Sequence, residues 1–392
     1  MKAIELFTGA GGLAISLTNA QVSHRALIEW DHDCCNTIRR NINFINHDNN
    51  NIEIFEGDAK SFNYKSINET IDIVAGGPPC QPFSLGGKHK GYNDDRDMFP
   101  EAVRAIRHLC PKVFIFENVK GLTRKVFAEY LEYILLQLTY PELRKKDGED
   151  WYGHRNRLER FHTKGFNKSL EYKVTFRVLD AADYGVPQRR ERVFFVGFRS
   201  DLKANWSFPE PTHSQAALIK SKWITGDYWT RHHIKPVSMN KLSDSTLEKL
   251  QSDLFINTLL PWRTVRDAIS DLPDPKSSNN IPNHIFRGGA KQYPGHTGSI
   301  LDDPAKTLKA GVHGVPGGEN MLVLTNGELR YFTTREAARL QTFPDEYIFT
   351  GSWTETMRQI GNAVPVHLGN IIINSVIKSL GINERTNTLQ SA

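Results

Sequence analysis

The sequence has few cysteines, no long apolar run and no internal repeat, and each absence argues against a class of protein. Its four cysteines are Cys34, Cys35, Cys80 and Cys110, and the adjacent pair does not bridge easily, so we expect no disulfide framework. No cysteine or histidine spacing is typical of zinc ligands, so we expect no metal site. No stretch approaches the roughly 20 apolar residues that span a bilayer. The first residues lack an apolar signal core, and we expect a cytosolic protein, or a nuclear one in a eukaryote.

The charge of the chain is only mildly positive, at +5 among 392 residues, which is compatible with a polyanionic partner without requiring one. The basic residues nevertheless cluster. One cluster comprises Arg144, Lys145, Lys146, Arg155, Arg157, Arg160, Lys164 and Lys168, and a second comprises Arg189, Arg190 and Arg192. The first cluster is either an arm that contacts nucleic acid or a solvated face, and both interpretations stay open.

Short apolar runs alternate with helical patterns over residues 1–199, which predicts an α/β domain with a parallel sheet covered on both faces. Strands are expected at 3–7, 25–30, 52–56, 71–75, 113–116 and 193–198, and helices at 34–44, 100–109 and 126–138. Residues 200–328 are rich in Pro, Gly, Ser, Asn and Thr, which predicts a smaller, loop-rich domain. Helical patterns return in 329–392, a segment that we expect to rejoin the first domain.

A glycine-rich turn with acidic and aromatic residues downstream predicts a nucleotide site. The turn Phe7-Thr8-Gly9-Ala10-Gly11-Gly12 follows a strand and opens a helix, where glycines allow close approach to a ligand. Glu29 ends the next strand and can hold ribose hydroxyls, and Trp30 can stack on an adenine ring. Asp58 ends the third strand and can accept a bond from the adenine amino group. Alternatively, Trp30 is a core aromatic and Asp58 a plain turn residue, but three such residues at successive strand ends favour the ligand site.

The most specific segment is Gly76-Gly77-Pro78-Pro79-Cys80-Gln81-Pro82-Phe83-Ser84, which follows a predicted strand. Its prolines fix the backbone before Cys80, which favours a presented, reactive thiol over a buried cysteine that acts as a small hydrophobe. The following residues 84–97 are polar and glycine-rich, and we expect a mobile loop that closes over the substrate.

Six motifs resemble the DNA (cytosine-5) methyltransferase family of prokaryotic restriction–modification systems, in that family's order. They are FTGAGGL at 7–13, GGPPCQPFS at 76–84, FENV at 116–119, QRRER at 188–192, REAARLQTFPD at 335–345 and GNAVP at 361–365. The resemblance implies a Rossmann-like fold that binds S-adenosylmethionine and releases S-adenosylhomocysteine. It implies that Cys80 is the nucleophile, Glu117 contacts the cytosine edge, and Arg190 and Arg192 lie near the target nucleotide. It also implies a cofactor site lined by Phe7, Gly9, Gly11, Gly12, Glu29, Trp30, Asp58, Pro79 and Asn362.

The chemistry of the resembled family requires residues of these types. A thiolate that adds to carbon 6 makes carbon 5 of cytosine nucleophilic toward a sulfonium methyl group. A carboxyl group at N3 and arginines near O2 meet the charge that develops on the ring. Because these atoms are hidden inside a stacked duplex, the base must be flipped out. The residues that form the thiolate and remove the C5 proton stay open.

The resemblance also implies biological context. We expect a monomer in the bacterial cytoplasm that binds double-stranded DNA and protects it from a partner restriction endonuclease. The loop-rich region 200–328 is expected to read bases, with Arg231, His232, His233, Lys235, Arg263, Arg266, Arg287 and Lys291 as available residues. The stretch between FENV and QRRER is longer than we expect for a compact member, and it holds the first basic cluster.

Three other functions compete with this one. An RNA cytosine-5 methyltransferase shares the fold, but that branch carries Thr where this chain has Ser84, and a Cys-Phe-Thr tripeptide that this chain lacks. A catalytically silent DNA-binding module is disfavoured by the intact set of Cys80, Glu117 and Arg190. A nicotinamide oxidoreductase is disfavoured by the G-x-G-G spacing of the first turn.

Overall fold

The computed structural model describes residues 1–46, 52–79, 97–165, 169–236, 258–292, 297–310 and 318–381. The strands are β1 (Lys2–Leu6), β2 (Ser23–Glu29), β3 (Glu53–Glu56), β4 (Ile73–Gly76), β5 (Val113–Val119), β6 (Tyr172–Asp180), β7 (Glu191–Arg199), β8 (His213–Ser214), β9 (Leu260–Pro261), β10 (Ser299–Ile300), β11 (Met321–Val323) and β12 (Leu329–Tyr331). The helices are α1 (Gly12–Asn19), α2 (His32–Arg40), α3 (Phe99–Leu109), α4 (Ala128–Thr139), α5 (Trp151–Lys164), α6 (Gln215–Trp223), α7 (Asp227–Arg231), α8 (Val265–Ile269), α9 (Thr334–Leu340), α10 (Trp353–Asn362) and α11 (Val366–Ser379).

The centre of the fold is a seven-stranded sheet in the order β3-β2-β1-β4-β5-β7-β6. The pairs β1–β2, β1–β4, β2–β3 and β4–β5 are parallel, and β7 runs antiparallel to β5. The inner strands are buried on both sides, which explains why they read as near-continuous apolar runs in the sequence. The predicted α/β class with a Rossmann-like sheet is therefore confirmed.

Alternate residues of the strands build one large core on a single face of the sheet. Leu6, Val74 and Phe116 belong to this core, together with side chains from α3, α4 and α5.

Helix α3 carries Pro100 in its first turn, where a missing N–H removes no helical bond. Asp31 caps α2 by accepting a bond from the Cys34 amide at 2.9 Å.

The chain divides into two compact units whose extents differ from the three predicted domains. The first unit comprises 1–179, 191–208 and 372–392, and the second comprises 180–190 and 209–371. Residues 329–371 thus group with the loop-rich region rather than with the sheet. One reason is that Arg339 of α9 donates to the Ala268 carbonyl and pairs with Asp271, both from that region. The functions predicted for these domains stay predictions.

The second unit has its own small core around Tyr228, Trp229 and Trp262. Its strands are short and lie in a two-stranded and a three-stranded sheet, which agrees with the loop-rich pattern of its sequence.

Among the described residues, Trp353–Ser379 is long and apolar enough to cross a membrane by composition, but 67% of its apolar window is buried inside the protein. Cys34, Cys35 and Cys110 are free thiols.

Candidate active site

The glycine-rich turn after β1 has a backbone that only a few residue types adopt. Gly9 and Gly11 have positive φ angles of 57° and 82°, which suit glycine, and Phe7 has a φ of 56°, which is unfavourable for a bulky side chain. The Thr8 amide donates to the Ile28 carbonyl at 3.2 Å, so the turn is tied to the end of β2. Such strain persists only where the surroundings fix it, and it is common at ligand sites. Gly12 then begins α1.

Glu29 connects this turn to the end of β2. Its carboxylate accepts bonds from the backbone amides of Gly9 at 2.8 Å and of Trp30 and Asp31 at 2.9 Å. Burial raises the pKa of the Glu29 carboxyl, although these three N–H donors act in the opposite direction. A carboxylate has about four acceptor positions, so roughly one is left for a ligand hydroxyl.

Trp30 and Asp58 follow the ends of β2 and β3. The two strands are parallel and their last residues, Glu29 and Glu56, are paired, so Trp30 and Asp58 lie at the same edge of the sheet. The Trp30 side chain is 80% exposed, which excludes the core-aromatic interpretation. Asp58 is exposed and accepts a bond from the Lys60 amide at 2.9 Å, so it has the turn role as well as an accessible carboxylate. A large aromatic face in solvent is costly unless a ligand covers it, which favours a stacking role for Trp30.

The turn after β4 is fixed by contacts to its neighbours. A Cβ atom on Gly76 would lie 2.2 Å from the Leu6 carbonyl oxygen, so only glycine fits there. The Asn118 side-chain amide donates to the Pro78 carbonyl at 2.8 Å, and the exposed Pro79 accepts a bond from the Met98 amide at 3.1 Å. Residues 80–96, which include Cys80 and all of the expected mobile loop except Asp97, lie outside the described residues. The structure therefore shows a rigid approach to the predicted nucleophile.

Glu117 and Arg192 form a buried ion pair at the end of β5. The Arg192 Nε lies 2.8 Å from Glu117 Oε1, and the two side chains are only 14% and 9% exposed. A Cβ on Gly77 would lie 3.5 Å from Glu117 Oε2, so this carboxylate lies beside the turn, three residues before Cys80. Burial lowers the pKa of the Arg192 guanidinium, and the adjacent carboxylate raises it. The pair places acceptor and donor atoms together beside Gly77.

Arg190 corrects one expectation. Its side chain is 0% exposed, and its guanidinium donates to the carbonyls of Leu308 at 3.2 Å, Gly361 at 2.7 Å and Ala363 at 3.0 Å. A buried guanidinium that is committed to three backbone carbonyls is not free to contact a nucleotide. The residue instead holds the GNAVP turn within the second unit. The next residue of that turn, Asn362, is exposed, and its place in a cofactor site stays a prediction.

Several motif residues to which the sequence assigned no role are buried hydrogen-bonding groups. Gln188 donates to Gln341 Oε1 at 3.1 Å, and Gln341 donates to the carbonyls of Ile360 and Ala363 at 2.7 and 3.1 Å. The guanidinium of Arg335 is 0% exposed and donates to the carbonyls of Pro282, Pro344 and Tyr347. In the sequence, each of these residues is a polar residue within an otherwise apolar or turn-forming motif, which is the pattern that could have indicated a buried hydrogen-bonding role.

The comparison with known proteins agrees with this geometry. The family model described as C-5 cytosine-specific DNA methylase matches residues 1–140 and 153–378. The Type II methyltransferase M.AquIA of Picosynechococcus is 36% identical over 280 residues, covering 69% of this chain and 89% of that protein. The Type II methyltransferase M.NgoMIV of Neisseria gonorrhoeae is 30% identical over 380 residues, covering 96% and 97%.

Solved structures share the fold. A DNA modification methyltransferase encoded within an Escherichia coli prophage superposes with a TM-score of 0.57 at 20% identity, covering 97% of this chain and 99% of that one. The Dnmt2 methyltransferase of S. pombe superposes with a TM-score of 0.58 at 16% identity, covering 97% and 100%. At these identities the likeness concerns the fold alone.

Proposed function

The chain belongs to the C-5 cytosine-specific DNA methylases, and we propose that it methylates a flipped-out cytosine through a covalent adduct with Cys80. The observation that carries this mechanism is the buried Glu117–Arg192 pair beside Gly77, on the turn that leads to Cys80. The pair supplies a carboxyl group for N3 and a guanidinium for O2 at the place where a flipped base must be held.

The residues at the carboxyl edge of the sheet fit S-adenosylmethionine. The positive φ of Gly9 and the open space around its Cα let the backbone approach a ligand, and Trp30 offers an exposed ring. The buried Glu29 carboxylate has about one acceptor position left for a ribose hydroxyl. The bound cofactor supplies an electrophilic methyl group on a sulfonium.

The chain's own residues then act on the cytosine. The Cys80 thiolate adds to carbon 6, and the electron pair of the C5–C6 bond becomes available at carbon 5. Glu117 shares a proton with N3, so the ring does not carry a full negative charge. After carbon 5 has gained its methyl group, its proton leaves to a base, and the electrons of the C5–H bond expel Cys80. Arg192 keeps the Glu117 carboxyl in place and stabilises O2.

The second unit is proposed to read the DNA sequence, with the predicted region 200–328 as its centre. Two of its arginines are occupied, since Arg266 is paired with Asp302 at 2.6 Å and Arg231 with Asp267 at 2.8 Å. Arg263 and Arg287 are exposed and suit contacts to base edges or phosphates. The names of the relatives, Type II methyltransferases, support a restriction–modification role, in which the protein protects DNA from a partner endonuclease. A monomer in the bacterial cytoplasm is part of the same proposal.

Transfer of a radiolabelled methyl group from S-adenosylmethionine to a mixture of DNA and tRNA tests this function. Base analysis of the product is expected to give 5-methylcytosine in DNA, and mapping of the label will give the recognised sequence. Label in tRNA alone, or label on a different base, would show that the proposal is wrong. Cys80→Ala serves as the matched control for background transfer.

A further inference from the structure

A cavity lies on the first unit beside helix α3. It extends along this helix from Pro100 and Glu101 in the first turn to Arg107. The cavity there measures about 270 Å³, whereas about 10–15 Å³ is enough to hold one water molecule. Its polar lining comes from α3, α4, α5 and the α4–α5 connection, and comprises Arg104, Arg107, Gln137, Arg144, Lys145 and His154.

The charge of this cavity is strongly positive. Glu101, the one acidic residue in the described lining, forms an ion pair with Arg104 at 2.5 Å. Among the described residues, Arg107 donates only from its Nε, to the Pro141 carbonyl at 2.6 Å. No carboxylate among the described residues forms an ion pair with Arg107, Arg144 or Lys145. Three cations therefore line one concave surface without an acidic partner in the described part of the chain.

Two further features indicate a ligand site. Gln137 is only 7% exposed and lines the cavity, and its side-chain amide has no hydrogen-bond partner among the described residues. The pKa of Arg107 is lowered, first by burial and then by the charges of Arg144 and Arg104, while Glu101 and Glu142 act in the opposite direction. An anion with several acceptor oxygens that binds between these groups accepts from the Gln137 amide and offsets the repulsion between the cations.

We propose that this cavity binds a phosphate group. Two guanidinium groups, an ammonium and an amide offer donors from several directions, which suits the tetrahedral oxygens of a phosphate better than a planar carboxylate. The site is a feature of this chain rather than of its family model, which stops at 140 and resumes at 153, because Arg144 and Lys145 lie in the unmatched segment. The binding is independent of methyl transfer.

The phosphate group can come from two sources: a free phosphate compound, or the backbone of DNA that extends beyond the methylated site. Calorimetry with inorganic phosphate at constant ionic strength tests the shared chemistry. The double variant Arg144→Gln/Lys145→Gln removes two exposed side chains and should fold normally. It should bind phosphate at least tenfold more weakly, and so should Arg107→Gln. Lys146→Gln is the matched control, because Lys146 is an adjacent exposed lysine outside the cavity lining, and it should bind within twofold of the wild type.

The salt dependence of binding to a long duplex separates the two sources. If DNA supplies the phosphate, the slope of log K against log salt becomes shallower by about 1–2 in the double variant and not in Lys146→Gln. If a free compound is the ligand, the slope stays unchanged while phosphate binding is lost. Equal phosphate binding by wild type and double variant, or no binding at roughly 10 mM phosphate, would overturn the proposal. Methylation of a short duplex, measured in parallel, reports separately on the proposed function.

Discussion

Replacement of Arg190 by methionine should destabilise the protein strongly, because this arginine is a structural residue of the second unit. Its fully buried guanidinium donates three hydrogen bonds to the carbonyls of Leu308, Gly361 and Ala363. A bond from a charged donor contributes about 1.5–3 kcal/mol, and carbonyls that lose their donor stay desolvated. Removal of the buried charge offsets part of this loss. We expect a net cost of about 3–5 kcal/mol, at the upper end for single substitutions.

Urea unfolding, followed by fluorescence and circular dichroism, measures this cost. The matched control is Arg189→Met, whose side chain is 55% exposed and pairs with Asp180 at 3.2 Å. A surface ion pair contributes about 0–1 kcal/mol, so the control should unfold close to the wild type. At low temperature, the folded fraction of Arg190→Met should keep methyl transfer within about tenfold, whereas Arg192→Met should lose at least about 100-fold. If Arg190→Met unfolded like its control and lost activity like Arg192→Met, the structural assignment would be refuted.

Three further substitutions test the candidate site, and a fourth, of Glu5 in β1, tests stability. Cys80→Ser should abolish turnover while calorimetry with S-adenosylhomocysteine gives a nearly unchanged Kd, and near-normal turnover would contradict the covalent mechanism. Glu117→Gln should lower kcat by about 10²–10⁴ in single-turnover assays, since the amide cannot share a proton with N3, and an unchanged kcat would exclude that role. Trp30→Ala should weaken S-adenosylhomocysteine binding about tenfold with an unchanged melting temperature, because the ring is 80% exposed; a lowered melting temperature with unchanged binding would make Trp30 structural. Burial raises the pKa of Glu5 well above its ordinary value, so the folded state holds that proton more tightly than the unfolded state. Stability is then lost as pH rises from the unfolded pKa toward the folded one, and Glu5→Gln should unfold at increasingly higher urea than the wild type between pH 5 and pH 8; a constant difference would refute this.

The inner strands of the sheet could be predicted from the sequence because burial on both faces makes them continuous apolar runs, whereas the partly exposed edge strand β6 was not predicted. The structure has strands at Lys2–Leu6, Ser23–Glu29 and Ile73–Gly76, each within two residues of the predicted bounds. Once the strands are located, the residues at their carboxyl ends can be predicted to lie near one another, because parallel strands place those ends along one edge of the sheet.

Helix α5 was missed because its buried face does not look apolar. Trp151, His154 and Leu158 are its buried residues, at helical spacing, but the middle one is a histidine. The structure satisfies that histidine: the Tyr133 hydroxyl bonds to Nδ1 at 2.8 Å, and Nε2 donates to the Leu143 carbonyl at 2.7 Å. The basic cluster is also partly neutralised, since Arg155 pairs with Glu132 and Arg157 with Glu149. Side-chain partners of this kind come from other elements and are not visible in a local pattern.

The different roles of the two arginines in QRRER could not be predicted from the sequence. The family resemblance implied that both Arg190 and Arg192 lie near the target nucleotide. Strand β7 begins at Glu191, however, and Arg190 lies before it, where its amide donates to Asp180 Oδ1 at 3.0 Å. Arg192, inside the strand, therefore forms the ion pair with Glu117 in the first unit. Arg190, before the strand, bonds to backbone carbonyls of the second unit. Only the hydrogen bonds distinguish a structural arginine from a catalytic one when both occur in a single motif.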